Sequence, residues 1–276
     1  MHSDLGRRLF VTLSGVFCIV GTLVGVGVIG TSVANTAGGA LDSDATLIAP
    51  AGTAFSIWSV IYVGLFLYTV RQWLPSVAET TRERRIGWLA GVSMVLNAAW
   101  LLVIQGGWLW LSVLVILALA VVLGVLVKRL HEHPHTTPVG RVIVDGTFGL
   151  YLGWVTAAAT TNVAAAGTAE GWGSGGTADE WIAVAVLVVA VLLTAVYARL
   201  LGPRFTVAAA VVWALVWIGV ARTSGEPASQ FVGTAAFGLA AVTLLIWIIA
   251  LVRDRNRGTR ALDTRAGRER SGVVAS

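Results

Sequence analysis

Long apolar stretches alternate with short polar or glycine-rich intervals along nearly the whole chain. The apolar stretches cover about 9–33, 52–73, 86–104, 108–127, 142–165, 181–200, 205–221 and 230–252. Each approaches the roughly 17–25 residues that a helix needs to cross the hydrocarbon of a bilayer at about 1.5 Å per residue. The pattern therefore predicts an all-α fold, a polytopic membrane helical bundle of about eight transmembrane helices. Arg7 and Arg8 precede the first stretch as they would in a signal peptide, but its length of about 25 residues far exceeds a 7–15-residue signal core. It is read as a span.

Composition supports this reading. Of 276 residues, 57% are hydrophobic and 12% charged, against roughly 45–50% and about 25% in soluble domains, so a water-soluble globule is excluded. The single cysteine, Cys18, lies within the first span, which rules out an intrachain disulfide and leaves it as a small packing residue. The net charge of +5 does not point to nucleic acid, because the basic residues sit beside apolar spans, where they report orientation and contact with anionic lipid.

With the N-terminus inside, Arg7, Arg8, Arg71, Arg82, Arg84, Arg85, Lys128, Arg129, Arg141, Arg199, Arg204 and all arginines from Arg253 to Arg270 fall on the inner side. Arg222 alone falls outside. The positive-inside rule then places both termini in the cytoplasm, most simply of a bacterial cell with the chain in its cytoplasmic membrane. Asp42, Asp44, Glu170, Asp179 and Glu180 fall in the outer loops, 34–50 and 166–180. The tail from 253 carries many arginines and few large apolar residues, so it is expected to be disordered or to rest on anionic headgroups. Gly21 with Gly25, and Ala236 with Ala240, are small residues at helical spacing that allow helices to approach closely.

Polar and aromatic residues recur inside the spans. Asn97 and Trp100 share a helix face, Trp58 lies in the second span, Trp108 opens the fourth, and Trp154 and Asn162 lie on the fifth. A side-chain amide in hydrocarbon is unfavourable unless hydrogen-bonded, so Asn97 and Asn162 must face the bundle interior. Two readings fit equally: an amide clamp between helices, or the polar groups of an aromatic pocket for a large, flat, mainly apolar ligand. Trp73, Trp88 and Trp181 fit the interfacial belt.

The segments PAGTAFSIWSVIY (Pro50 to Tyr62), LNAAW (Leu96 to Trp100), GGW (Gly106 to Trp108) and YLGW (Tyr151 to Trp154), with Asn162 eight residues after that Trp, resemble the TspO/MBR family. These are the tryptophan-rich sensory proteins and translocator, or peripheral benzodiazepine receptor, proteins. The resemblance covers roughly residues 9–166, and implies a five-helix membrane domain (1–166) with an outward-opening porphyrin- or tetrapyrrole-binding pocket. Residues 167–252 are then a three-helix extension and 253–276 the basic tail. Ligand contacts are expected from Trp58, Tyr62, Asn97, Trp100, Trp108, Trp154, Ala158 and Asn162. The family's tryptophan after the first-loop prolines is replaced around Gly52 and Thr53, and its aromatic-then-basic sterol pattern is missing from NVAAAGTAEG, which weakens a sterol reading.

What the resemblance implies is a sensory or regulatory binding protein rather than an enzyme, with no required cofactor and a porphyrin or haem-like tetrapyrrole as ligand. The expected partners are a hydrophobic small molecule, membrane lipids with anionic lipid at the basic tail, and a second copy in a homodimer. Two alternatives stay open: light- and oxygen-dependent porphyrin breakdown, in which the ligand supplies the photochemistry, and transport of tetrapyrroles or other hydrophobic small molecules. No Ser/His/Asp set, carboxylate pair or nucleotide loop points to hydrolysis or phosphoryl transfer. His131-Glu132-His133-Pro134-His135 matches the zinc-protease pattern in letters, but Pro134 breaks the helix that must present both histidines. Asp145, about one turn into the fifth span, is expected to pair with Arg141 or Arg71 as an interfacial ion pair.

Cysteines placed at Thr46 and Ser174 in a Cys18→Ala background are expected to react with an impermeant thiol reagent from outside intact cells. Protection of both until the cells are lysed would overturn the orientation.

Overall fold

The computed structural model describes residues 2–25, 27–28, 35–134, 137–173 and 175–273. Among them, eight helices are long and apolar enough to cross a membrane: α1 (His2–Gly25), α2 (Ile57–Arg71), α3 (Thr81–Gln105), α4 (Leu109–Glu132), α5 (Thr147–Ala169), α6 (Thr177–Leu200), α7 (Phe205–Ser224) and α8 (Gln230–Val273). A 3₁₀ turn, Gly52–Ser56, leads into α2, and a π-helical stretch, Arg141–Gly146, leads into α5. Eight crossings bring both termini to one end of the bundle. This basic end carries the arginine-rich connections, and the opposite loop end carries the first loop and the turns after α3, α5 and α7.

Helix limits differ from the expected spans where local chemistry decides them. The first helix stops at Gly25 because Gly27 adopts φ +78°, a left-handed conformation that glycine takes without steric cost. The amide of Val28 bonds the carbonyl of Leu23 at 3.0 Å and that of Gly27 the carbonyl of Val24 at 3.1 Å, a Schellman ending. At the other terminus, where the sequence suggests a tail that is disordered or rests on anionic headgroups, α8 continues to Val273. The tail has no proline and is rich in Arg, and the span has already supplied the costly helix nucleus, so only propagation is needed.

α1 lies along α3, with Gly21 and Gly25 at the closest approach as their spacing suggests. A Cβ on Gly21 would stand 2.9 Å from that of Ala98, and one on Gly25 would stand 2.6 Å from the Leu101 side chain. α4 packs on α3, α5 on α4, and α2 against α5 and α1. α7 then packs on the free side of α5 so closely that a Cβ on Gly153 would stand 2.3 Å from the Val207 carbonyl oxygen. α8 packs on α7, and α6 chiefly on α8.

Two apolar clusters result. One joins α1 to α5 with Val207, Ala210 and Ala214 of α7; the other joins α6, α8 and the adjacent face of α7 (Val211, Leu215 and Ile218) with Ile48 of the first loop. α7 is part of both.

The ion pair expected for Asp145 is corrected in partner and depth. Arg71 instead pairs with Glu83 at 2.7 Å. Asp145, held inward by the π-helical stretch, accepts Arg82 Nη2 of α3 at 2.7 Å on one oxygen and Arg204 Nη1, just before α7, at 2.8 Å on the other. Arg82 also donates to the backbone carbonyl of His133. One carboxylate therefore joins three helices and the connection after α4. Of the two positions for impermeant labelling, Thr46 is buried and Ser174 lies outside the described residues; exposed Asp44 and Trp172 are the better probes.

Asp145→Asn leaves buried Arg82 and half-buried Arg204 short of a counter-charge, and is expected to lower unfolding stability in detergent by about 3 kcal/mol. Asp145→Leu combined with Arg82→Met and Arg204→Met is expected to recover most of that loss, since apolar groups of similar volume can replace a buried ion set. Parent-like unfolding of the single variant would show that the charges do not hold the helices.

Candidate functional site

Trp58, half-buried near the loop end of α2, is the centre of an aromatic cluster. Its ring stacks on Tyr62 one turn below (centroids 5.2 Å, planes 14° apart) and lies 6.4 Å from Trp100 of α3. It meets Tyr151 and Trp154 of α5 edge-on at 5.9 and 6.3 Å. Phe55, in the 3₁₀ turn above, closes the group edge-on to Trp154 at 5.8 Å. Edge-to-face and offset geometries of this kind suit the ring quadrupoles.

Above these rings lies a cavity of about 50 Å³. Its walls are Trp58, Trp100, Trp154, Ala158 and Asn162, with Phe55, Pro50 and Leu41 of the first-loop segment as a roof and Ala214 and Ile218 of α7 as a side. Trp154 is only 2% exposed, and its indole N–H has no hydrogen-bond partner among the described residues. A buried donor without a partner is unfavourable by roughly 1–3 kcal/mol. The cavity is therefore apolar with one unused donor in its wall.

Both asparagines turn out to be amide clamps, and only one of them also reaches the cavity. Trp100 Nε1 donates to Asn162 Oδ1 at 3.3 Å, and Asn162 Nδ2 donates to Ser112 Oγ of α4 at 2.8 Å, so α3, α4 and α5 are joined beside the cavity. Asn97 lies deeper and donates to Tyr62 Oη at 3.1 Å and Cys18 Sγ at 3.4 Å, joining α1, α2 and α3. Tyr62 and Asn97 thus support Trp58 from below rather than line the space. Trp108 stands apart, 63% exposed at the head of α4. The turn Gly106-Gly107, with Gly107 at φ +75°, starts α4 with Trp108 at its N-cap, and the ring does not line the cavity.

The roof is held by residues that the sequence reading did not select. Trp213 Nε1 donates to the Ala54 carbonyl at 2.9 Å, and the Ala51 amide donates to the Trp217 carbonyl at 3.2 Å. Trp213 and Trp217 are spaced i, i+4, so both fall on one face of α7, and that spacing was the available signal. Arg222, 1% exposed, donates to the carbonyls of Ser43 and Thr46 in the first loop and of Glu226 and Pro227 after α7, at 2.9–3.1 Å. The one arginine at the loop end is therefore a clamp between loops. Among the described residues no three His, Cys, Asp or Glu side chains gather as a metal site, and His135 lies outside them.

Arg222→Gln is expected to loosen the roof without unfolding the bundle. Backbone amides in 43–54 should exchange with solvent roughly tenfold faster or more, given about 1.5–3 kcal/mol for a hydrogen bond to a charged group, while those of α3 and α5 keep their protection. Unchanged exchange in 43–54 would remove the clamp role.

A family model described as TSPO-like protein matches residues 10–249. The match takes in α6, α7 and α8 as well as the first five helices, so the family pattern extends well beyond the residue 166 limit of the resemblance seen in the motifs. No curated protein and no solved structure gives a match. With eight membrane-spanning helices and a match over most of its length, the chain is an integral membrane protein that belongs to the TSPO-like protein family.

Proposed function

We propose that the protein binds a flat, mainly apolar ligand of the porphyrin or tetrapyrrole class in the aromatic cavity, in a sensing or regulatory role, with the loop end facing outward and both termini cytoplasmic. The observation that carries this reading is the convergence of Trp58, Trp100, Trp154 and Phe55 on one space whose wall holds an unpartnered indole N–H. Large aromatic faces offer stacking area, and the free donor offers one directional contact to a ring nitrogen or a carboxylate.

The space is far below the roughly 300–1,000 Å³ of ordinary ligand pockets, so a tetrapyrrole enters only if the roof moves. Phe55 is exposed on its outer side and sits on a short 3₁₀ turn, which makes it and the first loop the parts to be displaced. Micromolar binding, roughly −8 kcal/mol, is the scale expected for stacked contacts without a strong charged anchor.

Absorbance and fluorescence titration of the purified protein with protoporphyrin and with haem, in the dark, tests the reading. Trp58→Ala and Trp154→Ala are each expected to weaken binding roughly tenfold or more, and the Phe replacements less, because a ring face is kept. Trp73→Phe, at the basic end, should leave affinity unchanged. Phe55→Ala should tighten binding by enlarging the space. Absence of binding by the parent, or parent-like affinity in folded Trp58→Ala and Trp154→Ala, would overturn the reading. A Trp-dependent ring-opened product on illumination would replace it with the enzymatic one.

A further inference from the structure

A cleft of about 600 Å³, larger than the aromatic cavity, lies between α4 and α6, with α5 as its floor. It forms because α6 packs chiefly on α8 and touches α5 along only part of its length. Val121 and Gly124 line one wall, Leu193 and Leu200 the other, and Thr160 lies on the floor. Val121, Leu193 and Leu200 are exposed, so the cleft is open sideways, at the depth where hydrocarbon surrounds the helices.

The chemistry of the lining restricts the occupant. Hydroxyl groups within the cleft are already engaged: Thr156 Oγ1 bonds the Leu152 carbonyl at 2.8 Å and the Tyr197 hydroxyl at 3.3 Å, and Thr160 Oγ1 bonds the Ala157 carbonyl at 2.7 Å. No donor is left for a polar ligand along the walls. The cleft does carry a cation at its basic mouth, Lys128, which is exposed and has no hydrogen-bond or ion-pair partner among the described residues, Glu132 one turn on included. An apolar slot with a free ammonium at its headgroup end has the polarity of one lipid molecule.

We propose that this cleft is a binding site for an anionic glycerophospholipid of the leaflet at the basic end, with one acyl chain lying between α4 and α6 and the headgroup phosphate on Lys128. The site is separate from the aromatic cavity, and does not depend on what binds there. Gly124 gives direct control over it, since a Cβ at that position meets nothing within 4 Å and a larger side chain extends into open space.

The test is photolabelling of the full chain in phosphatidylcholine vesicles that contain a photoactivatable phosphatidylglycerol or, separately, a photoactivatable phosphatidylcholine, with labelled peptides mapped by mass spectrometry. Label from phosphatidylglycerol is expected to concentrate on the facing residues of α4, α5 and α6. Gly124→Leu, and Ala120→Leu as a second filling variant on the same wall, should remove that concentration. Thermal melting selects the variants that remain folded, and Lys128→Gln serves if neither does. Lys128→Gln should reduce the preference for phosphatidylglycerol over phosphatidylcholine about fivefold, equivalent to the ~1 kcal/mol of one basic side chain at an anionic surface, and leave chain labelling in place. Equal labelling by the two lipids in the parent overturns the headgroup assignment. Label spread evenly over the outward faces of α1 and α8, or unchanged in a folded filling variant, overturns the site.

Discussion

Hydrocarbon offers no hydrogen bonds, so a charged side chain drawn into this bundle is held by partners from elsewhere in the protein. Asp145 shows the consequence most directly. Its two oxygens are taken by Arg82 of α3 and Arg204 at the head of α7. Position and orientation of α7 against α5 then follow from this contact at one end and from Gly149 and Gly153 along the helix, where small residues let the backbones meet. A charge set of this kind is weak as a source of net stability, because desolvation offsets much of its attraction. Its value lies in register: shift α7 by a turn, and Arg204 and one carboxylate oxygen of Asp145 lose each other as partners.

That register brings the last three helices to the aromatic site. In the first five helices alone, Trp58, Trp100 and Trp154 would stand beneath a loop and little else. Here α7 supplies a wall through Ala214 and Ile218, bonds the turn above Trp58 through Trp213 and the Trp217 carbonyl, and fixes the first loop through Arg222. The family match across residues 10–249 agrees with this packing, since α7 belongs to both apolar clusters and cannot be removed without opening the site.

Much of this was legible in the sequence, for physical reasons that also explain what was not. Bilayer thickness and helix rise determine the number of spans, and Gly21 with Gly25 marks the α1–α3 contact because only small side chains allow it. Trp58 and Trp100 lie near the loop ends of their helices and Trp154 nearer the middle of α5, and they converge because each lies on an inward face. Periodicity could not separate Trp108 from them: its place depends on where the Gly106-Gly107 turn starts α4. Nor could it say that Asn97 serves Tyr62 and Cys18 below the cavity, because a side-chain amide facing inward satisfies the same constraint at either depth. The partners of Asp145 were misread for a related reason. Proximity in sequence favoured Arg141, yet the π-helical stretch turns the carboxylate toward the bundle, where Arg82 and Arg204 reach it.

Arg222 carries the argument furthest. Lys and Arg are strongly biased to one end of this chain, so an arginine at the other end needs a structural reason, and its four carbonyl acceptors on two loops supply one. The roof held this way leaves about 50 Å³ beneath it. A ligand larger than that must first break the bonds of Arg222 to Ser43 and Thr46 and separate the turn at Ala51 and Ala54 from α7. For the ligand proposed above, the apparent affinity is the intrinsic affinity reduced by the fraction of molecules in which these bonds are open. On that proposal, occupancy of the aromatic site is controlled by residues that never touch the ligand, and the helices that follow the fifth span set its working range.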